Sequence, residues 1–351
     1  MKMTFRWYGE SDPVTLSHIR QIPNMSGVVT AVYDVPVGQV WPRERIAALR
    51  ALCQDAGLAM EVIESVPVHE DIKLGRPTRD LYIQNYAENI RRLGEAGVRC
   101  VCYNFMPVFD WLRTDLHEKT EDGANVLAYE HQTLASLDPA HLSLPGWDES
   151  YTPDQLSGLL AAYRGIGHRE LFDNLVYFLR GVLPACNEVG IDMAIHPDDP
   201  PWDMFGLPRI LSSEEDIDRL FAALPDPHNG LTFCTGSLGA GRDNHLLRMA
   251  EKYARAGRIP FAHIRQIRYR GERDFAECGH LTAAGSLDIF GIVRALVRGG
   301  FDGYVRPDHG RNIWGEDGKP GYGLYDRALG ATYLNGLFEA VQYYERENGS
   351  V

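Results

Sequence analysis

The sequence predicts an α/β protein, a (β/α)8 TIM barrel, on three observations. Short β-type runs alternate with helical patterns eight times along the 351 residues, and such alternation implies parallel strands joined by helices. No Gly-x-Gly-x-x-Gly follows the first strand, which argues against a dinucleotide-binding open sheet. The last four strands each stop at a ligand-type side chain, at the end where barrels of this class keep their chemistry. The whole chain, 1–351, reads as one barrel domain, since α/β barrels routinely exceed the prior of roughly 150 residues per domain.

The first strand runs from Met3 to Tyr8 and a helix follows over 13–22. Ser26 to Tyr33 is the second strand. Its helix, 42–56, has Pro42 in the first turn and Gly57 just past the end, both boundary signals. Ala59 to Ile63 is the third strand, and 78–96 a helix with apolar residues at helical spacing. Val98 to Tyr103 is the fourth. The rhythm then breaks over 108–167, too long for a structureless loop. This stretch reads as a helical insertion, with helices over 125–137 and 152–163, acting as a lid or as a contact in a homo-oligomer, a dimer or tetramer. A helix over 168–189 restores the pattern. Strands five to eight are 190–195, 231–233, 259–264 and 303–305, each followed by a helix: 213–224, 244–256, 287–298 and 324–346. A polar loop, 265–284, precedes the third of these helices.

The formal charge of -13 and the lack of a basic stretch exclude a nucleic-acid partner. A small anionic substrate remains compatible, because a few arginines and a metal reverse the field inside a cleft. Cysteines at 53, 100, 102, 186, 234 and 278 form no CxxC, a pattern that suits a reducing cytoplasm. No segment has the length and apolarity of a membrane span, and the N-terminus lacks the apolar core of a signal peptide.

His196, Cys234, His263 and Asp308 follow or end strands five, six, seven and eight. On a barrel these positions converge, and imidazole, thiolate and carboxylate together suit Mn, Fe, Co or Zn better than Mg or Ca. His309 adjoins a ligand, and an imidazole suits either acid or base chemistry at physiological pH. Tyr322 lies between two glycines, a poor context for core packing, whereas Tyr325 falls at a helix start. Arg306 and Arg311 flank the centre and suit a bidentate grip on a carboxylate. Arg265 is a similar candidate, and Trp7, Tyr8, Tyr103 and Asn104 end early strands where a pocket would form.

Five motifs, His196-Pro-Asp-Asp-Pro-Pro201, Phe233-Cys-Thr-Gly-Ser237, His263-Ile-Arg265, Arg306-Pro-Asp-His-Gly-Arg311 and Gly321-Tyr-Gly-Leu-Tyr-Asp-Arg327, resemble those of mannonate dehydratase of the hexuronate pathway. The resemblance runs from Phe5-Arg-Trp-Tyr-Gly9 to the final helix. It implies a barrel related to xylose-isomerase-like folds, a Mn2+ or Fe2+ ion on His196, Cys234, His263 and Asp308, and loss of water from D-mannonate. It also implies an acid-base pair of His309 with a tyrosine of the 320–325 loop, Tyr322 before Tyr325. The chemistry is consistent with those residues. The C2 proton of an aldonate is a weak acid beside an already negative carboxylate, so a divalent cation, a general base and a general acid are all required. A metal-dependent sugar isomerase or epimerase on the same barrel is the alternative, and the thiolate at Cys234 weighs against it.

Overall fold

The computed structural model of the chain describes residues 1–137 and 152–347. Its strands in chain order are β1 (Lys2–Arg6), β2 (Gly27–Thr30), β3 (Ala59–Glu64), β4 (Cys100–Tyr103), β5 (Asp115–Lys119), β6 (Asn125–Tyr129), β7 (Asp192–Ile195), β8 (Asn229–Cys234), β9 (Phe261–Ile264), β10 (Gln266–Tyr269), β11 (Phe275–Cys278) and β12 (Tyr304–Pro307). Eight of them close into a barrel in the order β1-β12-β9-β8-β7-β4-β3-β2, every pair parallel. The helices are α1 (Leu16–Arg20), α2 (Arg43–Asp55), α3 (Glu70–Lys73), α4 (Arg79–Glu95), α5 (His131–Ala135), α6 (Pro153–Tyr163), α7 (His168–Val189), α8 (Glu214–Ala223), α9 (Thr235–Ala240), α10 (Leu246–Arg255), α11 (Ile289–Arg298) and α12 (Tyr325–Glu347).

The staves are buried on both faces, which is why they read as nearly unbroken apolar runs. Alternate residues point to opposite sides. Val62, Cys100, Cys102, Ala194 and Phe261 fill the barrel interior, whereas their neighbours Ile63, Val101, Met193 and Ala262 join the larger core. Cys53, Cys100, Cys102 and Cys186 are buried thiols, as their apolar contexts predict. No helix among the described residues is long and apolar enough to cross a membrane.

A second sheet, absent from the sequence reading, has the order β10-β11-β6-β5 and is antiparallel. It corrects two expectations. The 125–137 segment is strand to Tyr129, and only His131–Ala135 is helical. The 265–284 segment holds two strands rather than a loop. Leu127 and Ala128 are good helix formers, and a run this short is committed to strand only by its partner, here Ala276 and Phe275 opposite Ala128 and Tyr129. The expected 152–163 helix forms as α6. Thr152 caps it, its hydroxyl accepting from the Gln155 amide while the Gln155 side chain accepts from the Thr152 amide, a capping box. Residues 138–151 of the expected insertion lie outside the described residues.

Candidate metal centre and active site

His196 directly follows β7, Cys234 ends β8, His263 lies in β9, and Asp308 directly follows β12. One ligand atom each of His196, Cys234 and His263 lies within 4.8 Å of the others. Asp308 joins them: its Oδ2 is 3.6 Å from the Cys234 sulfur, and its Oδ1 is 3.9 Å from His263 Nδ1. His196 Nδ1 meets the Pro197 carbonyl at 2.7 Å. That bond assigns the proton to Nδ1 in the neutral ring and leaves Nε2 with its lone pair for a ligand, as metal-bound histidines require. Burial would lower the His196 pKa, but Cys234, Asp308 and Glu64 push it up to about 9. A field that favours a proton there also favours a cation, and the donor set fits a first-row divalent metal. Burial would raise the Asp308 carboxyl, yet Arg306, His309, His263 and Arg265 hold it well below the usual carboxylate range.

Glu64, Cys102 and His263 form an overlapping group. Burial and the Glu64 charge push the Cys102 thiol well up, and Cys102 accepts from the Thr232 hydroxyl at 3.2 Å. Cys234 instead shares its cluster with His196 and Asp308 as well as His263. Gly236 is needed next to it, because a Cβ there would run into the Arg265 guanidinium.

His309 connects the barrel to the second sheet. Its Nδ1 lies 2.7 Å from Glu277 Oε1 on β11, and its Nε2 lies 2.7 Å from the Tyr322 hydroxyl. An ionised carboxylate only accepts, so Nδ1 is the donor and Nε2 keeps its lone pair when the ring is neutral. Burial would raise the Glu277 carboxyl, but His309, Arg265 and Arg113 hold it below the usual range. Burial, then Tyr8 and Asp308, push the Tyr322 phenol well up. Tyr322 is therefore a protonated donor to His309. Gly321 has φ +77 and places Tyr322 inward; a Cβ at Gly321 would sit 2.6 Å from Leu127 on β6.

These groups face a cleft of about 830 Å³ whose lining includes Tyr8, Glu64, Asn104, Trp111, His196, Arg306, Asp308, His309 and Tyr322. Arg306 binds Glu64 at 3.0 Å and Asp308 at 2.8 Å. Asn104, proposed from sequence, is on this wall, and its side chain accepts from the Met106 amide at 3.2 Å.

Four expected site residues stand elsewhere. Tyr325 opens α12 and is 41% exposed, its ring beside Trp314, because the helix start turns it outward. Arg311 is held by Asp326 at 2.8 Å and Asp122 at 3.0 Å, off the cleft wall. Trp7 is buried in the core; the alternation of β1 gives the cleft to Arg6 and Tyr8 instead. Arg265 is fully buried behind the candidate ligands, binding Asp199 at 2.8 Å, Glu277 at 2.7 Å and Asp308 at 2.9 Å. Sequence reasoning missed Glu277 and Arg113, which pairs with Asp199 and Glu277, both at 2.9 Å. The only signals for them were single charges, Arg113 in the stretch that reads as a helical insertion and Glu277 in the one that reads as a polar loop.

Fold and site together define a xylose-isomerase-like barrel that carries a cluster of candidate metal ligands beside a hydrogen-bonded His309–Tyr322 pair. At the level of fold alone, the chain is similar to a xylose isomerase domain protein from Alicyclobacillus acidocaldarius, with a TM-score of 0.57 at 15% identity, covering 97% of this chain and 99% of that one. Residues 1–348 match the family described as D-mannonate dehydratase (UxuA). Mannonate dehydratase 2 of Halalkalibacterium halodurans is 54% identical over 343 residues, 97% of this chain and 99% of that protein. The crystal structure of mannonate dehydratase from Streptococcus suis serotype 2 superposes with a TM-score of 0.92 at 48% identity, covering 98% of this chain and 95% of that one. The chain belongs to the D-mannonate dehydratase family and is thus a hydro-lyase.

Proposed function

We propose that the chain converts D-mannonate into 2-dehydro-3-deoxy-D-gluconate and water, using His309 and Tyr322 as its acid-base pair and His196, Cys234, His263 and Asp308 to hold Mn2+ or Fe2+. The observation that carries this reading is the unbroken hydrogen-bonded chain Tyr322–His309–Glu277 beside the ligand set. When bound, the divalent cation supplies Lewis acidity and opposes the negative charge that builds on the substrate. His309 Nε2 takes the proton from C2, Glu277 stabilises the imidazolium through Nδ1, and Tyr322 delivers its phenolic proton to the C3 hydroxyl, which leaves as water. His309 then returns its proton to Tyr322 across their shared 2.7 Å contact. The resulting enol tautomerises to the ketone. Two partners this close act from one side of the substrate.

The test is incubation with D-mannonate and Mn2+ under anaerobic, reducing conditions, with detection of the 2-keto-3-deoxy acid. An isomerase or epimerase would retain the elements of water, and its product would count against this reading. Cys234→Ser should lose most bound metal and activity with an unchanged far-UV circular dichroism spectrum. Full metal occupancy in that variant would remove Cys234 from the ligand set.

A further inference from the structure

Arg6 ends β1 on the cleft wall and is 8% exposed. The guanidinium lies 4.7 Å from the Tyr8 ring centroid and 5.9 Å from that of Tyr33. Its Nη1 is buried without a hydrogen-bond partner, and among the described residues Arg6 forms no ion pair. The other arginines around the centre are committed: Arg265 and Arg113 to Asp199 and Glu277, Arg306 to Glu64 and Asp308, Arg311 to Asp326. Arg306 nevertheless keeps one nitrogen, Nη1, buried and without a partner. A buried guanidinium without a contacting counterion is costly to maintain; ring faces and the more distant Glu64 charge, itself paired with Arg306, offset only part of that cost. Lys319 adds positive charge over the same Tyr8 ring, 4.1 Å from its centroid. Two unmatched guanidinium nitrogens in one cleft therefore call for an anion supplied from outside the chain.

We infer that Arg6, with the free Nη1 of Arg306, grips the carboxylate of the sugar-acid substrate, the role the sequence suggested for Arg311. This rests on the dehydratase reading above. A planar guanidinium matches a carboxylate bidentately, and the match strengthens as deprotonation at C2 adds charge to that end of the substrate.

The test compares wild type, Arg6→Gln and Arg6→Lys with D-mannonate as substrate and its uncharged amide, D-mannonamide, as competitor. Loss of a charge-assisted hydrogen bond predicts a KM for D-mannonate raised on the order of 10- to 100-fold in Arg6→Gln. Its inhibition constant for D-mannonamide should stay unchanged. Arg6→Lys, which keeps the charge but not the fork, should show a smaller rise. An unchanged KM in either variant overturns the inference, as does an equal loss of affinity for the amide. If Arg6→Gln does not fold, Arg6→Lys decides by the same criteria. Wild-type turnover of D-mannonate, measured alongside, tests the dehydratase reading separately.

Discussion

A single oxygen, Glu277 Oε1, accepts from His309, Arg265 and Arg113. Removing its charge leaves His309 in place but without the anion that orients and stabilises its protonated form. Glu277→Gln should lower kcat on the order of 10- to 100-fold, with KM and metal content nearly unchanged and partial recovery in Glu277→Asp. Loss of metal or of folding in proportion to activity would make Glu277 structural only. That these side chains would cluster was legible because a barrel brings its strand ends together, and His196, Cys234, His263 and Asp308 stand at those ends. Glu277 was not, because β10 and β11 are short, charge-bearing strands that pair with each other and with the distant β6 inside a segment that reads as polar loop. Tyr322 and Tyr325 were hard to separate in sequence. The left-handed turn at Gly321 and the start of α12 send one inward and the other outward.

At the scale of elements, the barrel's rhythm was readable because each stave is apolar on both faces and each helix is amphipathic. The second sheet escaped because its strands mix charge with apolar residues, as in Asp-Leu-His-Glu-Lys of β5. It is nonetheless part of the site, since β11 carries Glu277 and Leu127 of β6 packs at Gly321. β11 lies between β10 and β6, and Ala276 pairs with both Arg268 and Ala128. A proline there removes a ladder hydrogen bond from a central strand. Ala276→Pro should abolish most turnover while the barrel's circular dichroism and bound metal persist. Retained turnover would show that the sheet does not position His309.

For the whole molecule, stability should depend on pH through His280. It is 3% exposed, and neither ring nitrogen has a partner. Its ring packs against Gly330 of α12. Burial lowers its pKa, outweighing Asp326, Asp308 and Glu277. Below the ordinary histidine range near about 6.5, the unfolded chain binds a proton that the folded one refuses, so stability falls with acidification, by at most ~1.4 kcal/mol per pH unit. At fixed metal concentration, the thermal midpoint should drop between pH 7 and 5.5 in wild type and drop less in His280→Gln. Equal drops would exclude this histidine as the source.

The pairing of β1 with β12, Met3 opposite Val305, has a consequence for biosynthesis. A ribosome delivers the two staves some 300 residues apart, so a nascent chain has an open seam until Pro307 emerges. Arg6 and Arg306 belong to those two staves, and they meet only when the seam shuts. Sealing the cylinder and assembling the grip on the substrate are thus one event, and a chain stalled short of it is exposed along two unpaired edges and inert.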